Sequence, residues 1–192
     1  MNIFVGLLGL ICVAIALVAV IVVIAVIAIY NGLVRLRQEV RNAWSQIDVQ
    51  LKRRHDLIPN LVETVKGYAA HEKQTLENVT MARSQAVQAQ GVKEQAQAES
   101  MLSGALGRLM LVVEQYPDLK ANQNFLALQE ELTSTENRIG FARQHYNDSV
   151  MVFNTKIKTI PNNLIAGPFG FKEEPFFEIE DQTEREVPQV KF

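Results

Sequence analysis

The stretch FLALQEELTSTENRIGFARQHYNDSVMVFNTKI, Phe125 to Ile157, decides the fold class. Its apolar and small residues recur on alternating steps of three and four: Phe125, Leu128, Leu132, Thr135, Ile139, Ala142, Tyr146, Ser149, Phe153 and Ile157. This heptad rhythm is typical of a helix that packs one seam against its neighbours. Asn122 is a candidate N-cap, and Pro161 stops the run. The pattern predicts a helix over residues 122–160 in an all-α protein.

An earlier stretch carries a similar seam. Its members are Val40, Trp44, Ile47, Leu51, Ile58, Leu61, Val65, Tyr68, Val79, Ala82 and Ala86, with interruptions at Arg54, Glu72 and Thr75. Gly91 is a natural stop, since glycine tolerates the conformation that follows a last helical turn. The seam therefore predicts one helix over residues 31–90, about 90 Å long at ~1.5 Å per residue, and Pro59 is its expected kink.

A shorter helix is expected between these two, over residues 93–116, where an Ala/Gln-rich stretch leads into LMLVV before Pro117. The connections on either side of it are short, which favours antiparallel neighbours. Residues 31–160 are thus predicted to form an elongated antiparallel bundle of long helices with coiled-coil packing.

The tail, residues 161–192, differs in composition from the bundle. Its Gly and Pro residues indicate an extended segment, and four of its five aromatic residues lie close together among acids: Phe169, Phe171, Phe176 and Phe177. Four aromatic rings are too many to leave wholly in water. We expect them to dock on the bundle or on a second subunit.

The first thirty residues predict a membrane anchor. From Ile3 to Ile29 every residue is apolar or Gly, and about 20 apolar residues suffice to cross a bilayer as a helix. A signal peptide fits poorly because no basic region precedes the run and no small-residue cleavage pattern closes it. Cys12 also fits poorly as a lipoprotein acylation site, because Ile11 is bulky. Residues 1–30 are therefore expected to be an uncleaved, single-pass transmembrane helix.

Charge predicts the orientation of this anchor. Between the run and residue 54 there are two acidic residues, Glu39 and Asp48. The same stretch holds six basic residues: Arg35, Arg37, Arg41, Lys52, Arg53 and Arg54. The positive-inside rule places the body in the cytoplasm and the N-terminus outside. Arg35, Arg37 and Arg41 are expected to contact anionic lipid, at roughly 1 kcal/mol each. With a net charge of −2 and no basic face, the chain is not expected to bind nucleic acid.

The segment LKRRHDLIPNLVETVKGYAAHE, Leu51 to Glu72, looks at first like a catalytic or metal site. His55 and His71 are sixteen residues apart, however, and at about 100° per residue they point to opposite sides of one helix. Zincin spacing and nucleophile motifs are absent, and Cys12 is the single cysteine. We expect no cofactor and no metal, and interpret these residues as a solvated or pair-forming face. A site shared with His145 of the third helix remains an alternative.

Arg54 stands where the seam calls for an apolar residue. A buried arginine needs a carboxylate or several carbonyls, and buried pairs of this kind can fix the register of packed helices. Glu130, Glu131 and Glu136 of the third helix are the candidate partners. We interpret Arg54 as a registry residue.

Three segments resemble the bacterial LemA family: YNGLVRLRQEVRNAWSQIDVQLKRRHDLIPNLVETVKGYAAHE, YPDLKANQNFLALQEELTSTENRI and YNDSVMVFNTKIKTIP, followed by GF and FF. The resemblance runs from about Tyr30 to Phe177. It implies a single-pass membrane protein with a long-helix bundle, and it implies no reaction. Together with the orientation argued from charge, the expected location is the bacterial inner membrane. Some similar proteins are associated with magnetosome formation, and others neighbour genes for membrane proteases or stress responses.

These features favour a non-enzymatic scaffold that self-assembles to organise or remodel the membrane. An adaptor for a membrane protease or stress pathway, and an enzyme with an inter-helix metal or acid/base site, remain alternatives. We expect a homo-oligomer, because the first helix is predicted to exceed its partners in length and leave apolar surface uncovered. Trp44 and the four tail phenylalanines named above are the residues expected at the contact between subunits. Membrane lipid and a membrane protein are the further expected partners.

Overall fold

The computed structural model of the chain describes residues 2–178, and the side chains of residues 9–178. Within that range it is all-α, as predicted. The helices are α1 (Asn2–Lys66), α2 (Lys73–Gln88), α3 (Val92–Val113), α4 (Pro117–Lys120), α5 (Gln123–Lys158) and α6 (Asn163–Ala166). Of the tail predicted to be extended, residues 161–178 are described: residues 171–178 have no helix, but residues 161–170 form turns and the short helix α6, so the extended prediction is wrong there. Residues 179–192 of that prediction lie outside the described part.

The helix predicted over residues 31–90 is wrong as a single element. α1 ends at Lys66, and residues 67–72 turn before α2 begins at Lys73. Gly67 weakens the helix at this point. The carbonyl of Val65 then accepts hydrogen bonds from the N–H groups of both Tyr68 (3.0 Å) and Ala69 (2.8 Å), and burial of Val65 and Ala69 fixes the turn. Tyr68, placed in the seam by the prediction, is instead exposed because the helix stops before it.

This break also removes the length argument for self-association. The part of α1 from residue 31 to Lys66 has as many residues as α5, which has 36. The first helix therefore has no surplus length that would leave part of its seam uncovered.

The turn between α2 and α3 depends on Gly91, whose φ of +80° lies in the region that glycine tolerates. The three-residue link brings α2 against α3. α3 and α5 occupy the stretches predicted for the second and third helices. Asn122 caps α5 as expected, since its Oδ1 accepts the N–H of Phe125 at 3.1 Å.

The described chain packs as two units. One is formed by residues up to Asn42 with Ser149–Glu174, and the other by Ala43–Asp148 with the tail from Pro175. The second unit holds an apolar core that draws on α1 through α5: Ile58, Leu61, Val65, Ala69, Leu76, Val79, Ala82, Ala86, Ala98, Leu102, Leu106, Leu109, Val113, Leu119 and Phe125. The part of the first seam from Ile58 onward thus lies in the core of this unit, together with apolar residues of α3 and the start of α5.

Residues 9–25 of α1 are exposed along their whole length. These residues make up most of the described part of the apolar run, and the helix that contains them is long and apolar enough to cross a membrane. Burial increases beyond it, and Leu33, Val40 and Ile47 are buried. α1 therefore carries both the apolar run and the packed seam without an intervening loop.

Candidate functional site

A buried ionic cluster lies in the second unit, next to the apolar core. Arg54 of α1 is its centre: Nη1 donates to Glu99 Oε2 at 3.3 Å, and Nη2 donates to Ser103 Oγ at 2.8 Å. Glu99 and Ser103 are four residues apart in α3, so they share one face of that helix. Nη2 also lies 3.1 Å from Glu136 Oε2 of α5. One guanidinium therefore ties α1 to two other helices.

Glu99 is buried and accepts hydrogen bonds from three side chains. Besides Arg54, His55 Nε2 lies 2.7 Å from Glu99 Oε1, and an ionised carboxylate can only accept, so the ring nitrogen is the donor. The third donor is Gln95 Nε2, 2.9 Å from the same oxygen. These bonds supply the partners that a buried carboxylate requires.

Pro59 contributes to the cluster through the backbone. Proline has no N–H, so the carbonyl four residues earlier in a helix loses its usual partner. That carbonyl belongs to His55, and the guanidinium Nε of Arg83 donates to it at 2.6 Å. Pro59 thereby creates an acceptor on α1 that α2 uses. The helix runs through Pro59, and the kink expected there stays a prediction.

Two asparagines of α5 hold the tail, and we call them the asparagine brackets. Asn154 donates from Nδ2 to the carbonyl of Glu174 (2.9 Å) and accepts its N–H at Oδ1 (2.9 Å). Asn147 makes the same pair with Phe177, at 3.3 and 2.9 Å. Seven helical residues rise about 10.5 Å and three extended residues span about 10 Å. The spacing of the asparagines along α5 therefore suits the spacing of their partners along the tail.

The chain has relatives among known proteins. The sequence matches the LemA family over residues 43–192. The chain belongs to the LemA family. It is similar to Protein LemA of Metamycoplasma hominis, with 32% identity over 137 residues that cover 71% of this chain and 63% of the relative.

Two further relatives of this LemA-family chain are named as magnetosome proteins. Magnetosome protein MamQ 2 of Paramagnetospirillum magneticum is 28% identical over 175 residues, which cover 78% of the chain and 64% of the relative. Magnetosome protein MamQ of Magnetospirillum gryphiswaldense is 27% identical over 174 residues, covering 77% and 64%. The chain thus spans less than two thirds of the length of each of these three relatives, and none of them is named as an enzyme.

The structure separates the three carboxylates proposed as partners of Arg54. Glu136 pairs with Arg54, whereas Glu131 pairs with Arg53. Glu130 is exposed and forms no ion pair within the described part of this LemA-family chain. The prediction missed Glu99, although a signal existed: Glu99 interrupts the apolar face of α3 between Ala96 and Leu102, as Arg54 interrupts that of α1.

The aromatic residues expected at an oligomer contact are largely used within the chain. Trp44 contacts Tyr146 and Phe177, with ring centroids 5.5 and 5.8 Å apart. Phe171 and Phe177 are buried, while Phe169 and Phe176 are exposed. The described tail therefore docks on its own chain through part of its rings, and an oligomer contact through the exposed ones stays a prediction.

Of the three arginines expected at lipid, Arg37 lies against an aromatic ring of the tail. Its guanidinium carbon lies 4.8 Å from the centroid of the Phe171 ring, a cation–π distance. Arg35 and Arg41 are exposed. Contact of these side chains with lipid stays a prediction.

The histidines do not come together. His55 is buried with Glu99, while His71 and His145 are exposed. Asp56 pairs with Lys52 in an exposed ion pair. Among residues 9–178, no group of three His, Cys, Asp or Glu side chains is placed to hold a metal ion. The inter-helix metal site left open by the sequence is not formed by these residues.

Proposed function

We propose that this LemA-family chain is a membrane-anchored, non-enzymatic scaffold of the bacterial inner membrane, with its helical body in the cytoplasm. The observation that carries the proposal is the continuity of α1, which passes from the exposed apolar run into the packed seam without a loop. Residues 9–25 suit lipid, and the seam from Leu33 onward packs in protein. A single helix that serves both surroundings couples a folded body directly to a bilayer.

The ionic cluster supports a structural role over a catalytic one. A catalytic carboxylate or imidazole has to reach a substrate with a free donor or acceptor. Glu99 instead accepts from Arg54, His55 and Gln95, all within the fold. The ionic cluster around Arg54 and Glu99 thus joins helices of the body.

The relatives support the same class of role. The MamQ proteins are named for a cellular structure and not for a reaction. By analogy, we propose that this chain organises or remodels the membrane in which it is anchored.

Self-association belongs to this proposal, and the structure offers a further candidate contact for it. An open groove between α1 and α5 is lined by Val49, Arg138, Phe141 and His145, among others, and Phe141 is 75% exposed at its edge. In a two-fold arrangement each Phe141 ring would enter the groove of the other copy, so one surface serves both partners. Anchoring in a plane raises the local concentration of neighbours and favours such a contact.

Particle size tests the scaffold. Full-length protein extracted in mild detergent and measured by mass photometry should give an oligomer. F141E should reduce the mass, because it would bury an unpaired charge in the contact, whereas L111E, at an equally apolar exposed position of α3, should not. A monodisperse monomer across several detergents and nanodiscs would contradict self-association.

Topology is tested separately. Protease added to intact spheroplasts should leave the body uncut, and should degrade it once the membrane is opened. Degradation in intact spheroplasts would place the body outside the cytoplasm and overturn the orientation.

A further inference from the structure

The segment that follows α5 leaves three large apolar side chains in solvent. Ile160 is 81% exposed, Leu164 71% and Phe169 55%. Their neighbours Ile165, Ala166 and Phe171 are buried. One side of this segment, residues 159–170, therefore packs on the fold while its other side is apolar and uncovered. We call this segment the foot.

The foot contacts α1 at the end of the apolar run. Tyr30, the residue after the run, lies with its ring centroid 5.1 Å from that of Phe169 and 5.8 Å from that of Phe171. Residues 9–25 are all exposed, but Val26 and Ile29 are partly covered. These residues belong to one packing unit. Packing of the chain on itself therefore starts inside the apolar run, one turn before it ends.

The length of the run allows its last turn to lie outside the hydrocarbon. At ~1.5 Å per residue, the run from Ile3 to Ile29 is about 40 Å long as a helix, whereas the hydrocarbon core is about 30 Å thick. A turn or more then lies in the interfacial layer, where tyrosine and other amphipathic rings are enriched. A segment packed against that turn lies at the same depth.

Charge around the foot also suits an interface. Lys158 precedes the foot and pairs with Glu173 at 2.8 Å. Arg37 stacks on Phe171 at 4.8 Å, and Arg35 is exposed. Cations beside exposed apolar side chains are typical of segments that lie in the membrane surface.

We propose that the foot is a second membrane contact, which inserts Ile160, Leu164 and Phe169 into the interface of the bilayer that α1 spans. The inference rests on the anchor of the proposed function. A helix that crosses a bilayer alone can tilt and rotate, and flanking contacts at the interface restrict both motions. The foot would restrict the tilt and rotation of α1 in the bilayer.

The depth of labelled cysteines tests this inference in the full-length chain. Cys12, the single cysteine, lies in the exposed apolar run and reports the anchor when it carries an environment-sensitive fluorophore. In a C12S background, L164C reports the foot. L111C is the matched control, since Leu111 and Leu164 are both 71% exposed. Each protein is placed singly in phosphatidylcholine nanodiscs, with and without lipid that carries a nitroxide near the headgroup end of its acyl chain.

The expected result is a blue-shifted emission and a nitroxide-dependent loss of fluorescence at position 164, with neither at position 111. I160C, a second probe in the foot, should behave like L164C. A water-like emission at both foot positions overturns the inference, and so does a blue shift without quenching, which means that protein covers the foot. The label on Cys12 distinguishes failure of this inference from failure of the proposed function. A nitroxide at the middle of the acyl chain should quench that label. Absence of quenching at Cys12 overturns the anchor and the proposed function.

Discussion

The ionic cluster around Arg54 and the asparagine brackets of α5 both place polar side chains in buried or half-buried positions, but with different chemistry. The cluster uses charges, and its partners are side chains of other helices. The brackets are neutral amides, and their partners are backbone groups of the tail. Charges make the cluster costly to break and specific for particular partner residues. Amides bond to the backbone, so they hold an extended chain whatever its side chains are. Removal of an asparagine bracket should cost less stability than removal of a buried charge.

R54L should give the largest effect. It leaves Glu99 buried without its cation, and breaking a buried pair by removing one partner costs about 3–5 kcal/mol. Urea unfolding in mild detergent, followed by the fluorescence of Trp44, measures the change. R54L/E99Q should be less destabilised than R54L alone, because glutamine removes the buried charge and keeps an acceptor for His55 and Gln95. If R54L keeps both the stability and the particle size of the parent, the registry role of Arg54 is lost.

N154A should give a smaller, local effect. It leaves the N–H and the carbonyl of Glu174 without partners, and each group that stays buried and unsatisfied costs about 1–3 kcal/mol. Hydrogen exchange of residues 171–178 should become faster, and N147A should do the same at Phe177. N137A is the control, since Asn137 is an exposed asparagine of the same helix. Unchanged exchange in N154A would mean that the aromatic contacts alone hold the tail.

The glutamates of α5 should rank by their contact with the cluster. E136A removes a half-exposed carboxylate from buried Arg54, where a bond to a charged group is worth roughly 1.5–3 kcal/mol before solvent screening reduces it. E131A removes an exposed pair with Arg53, worth about 0–1 kcal/mol, and E130A should have no effect. Urea midpoints of the three variants test the order. Equal values would show that Glu136 adds nothing to the cluster.

Tyr116 should give the smallest effect, confined to alkaline pH. Its pKa is raised above the ordinary 10.0, first because its hydroxyl donates a hydrogen bond to Glu72 at 3.1 Å. The folded state then favours the protonated phenol. The stability this bond adds is fully present below about pH 10 and is lost as the pH rises through the raised pKa. Y116F should lack this loss in unfolding titrations at pH 9 and pH 11. A parallel decline in both proteins would exclude Tyr116 as its source.

The sequence predicted those features that repeat locally. The seam of Phe125 to Ile157 predicted α5, and the apolar run of Ile3 to Ile29 predicted the exposed start of α1. In both cases the period or length of the apolar pattern is enough, because each residue's environment follows from its position along one helix. The cap at Asn122 and the stop at Gly91 are equally local.

The break at residues 67–72 shows where local reasoning failed. The heptad seam runs into the break with Tyr68 and continues past it with Val79 and Ala82, so period alone favours one helix. Val79 and Ala82 are buried, yet they reach the core from a separate helix that begins at Lys73. The interruptions at Glu72 and Thr75 were the available sign of the turn.

What the sequence by itself determined is the all-α class, the apolar run and the polar residues that stand in apolar seams. Only the tertiary structure decided which of these polar residues meet. Arg54 contacts Glu99 and Ser103, and not Glu130 or Glu131, because the turn after Lys66 lets α2 and α3 complete the core with α1. A charge can be recognised as misplaced from one helix, but its partner depends on the packing of several.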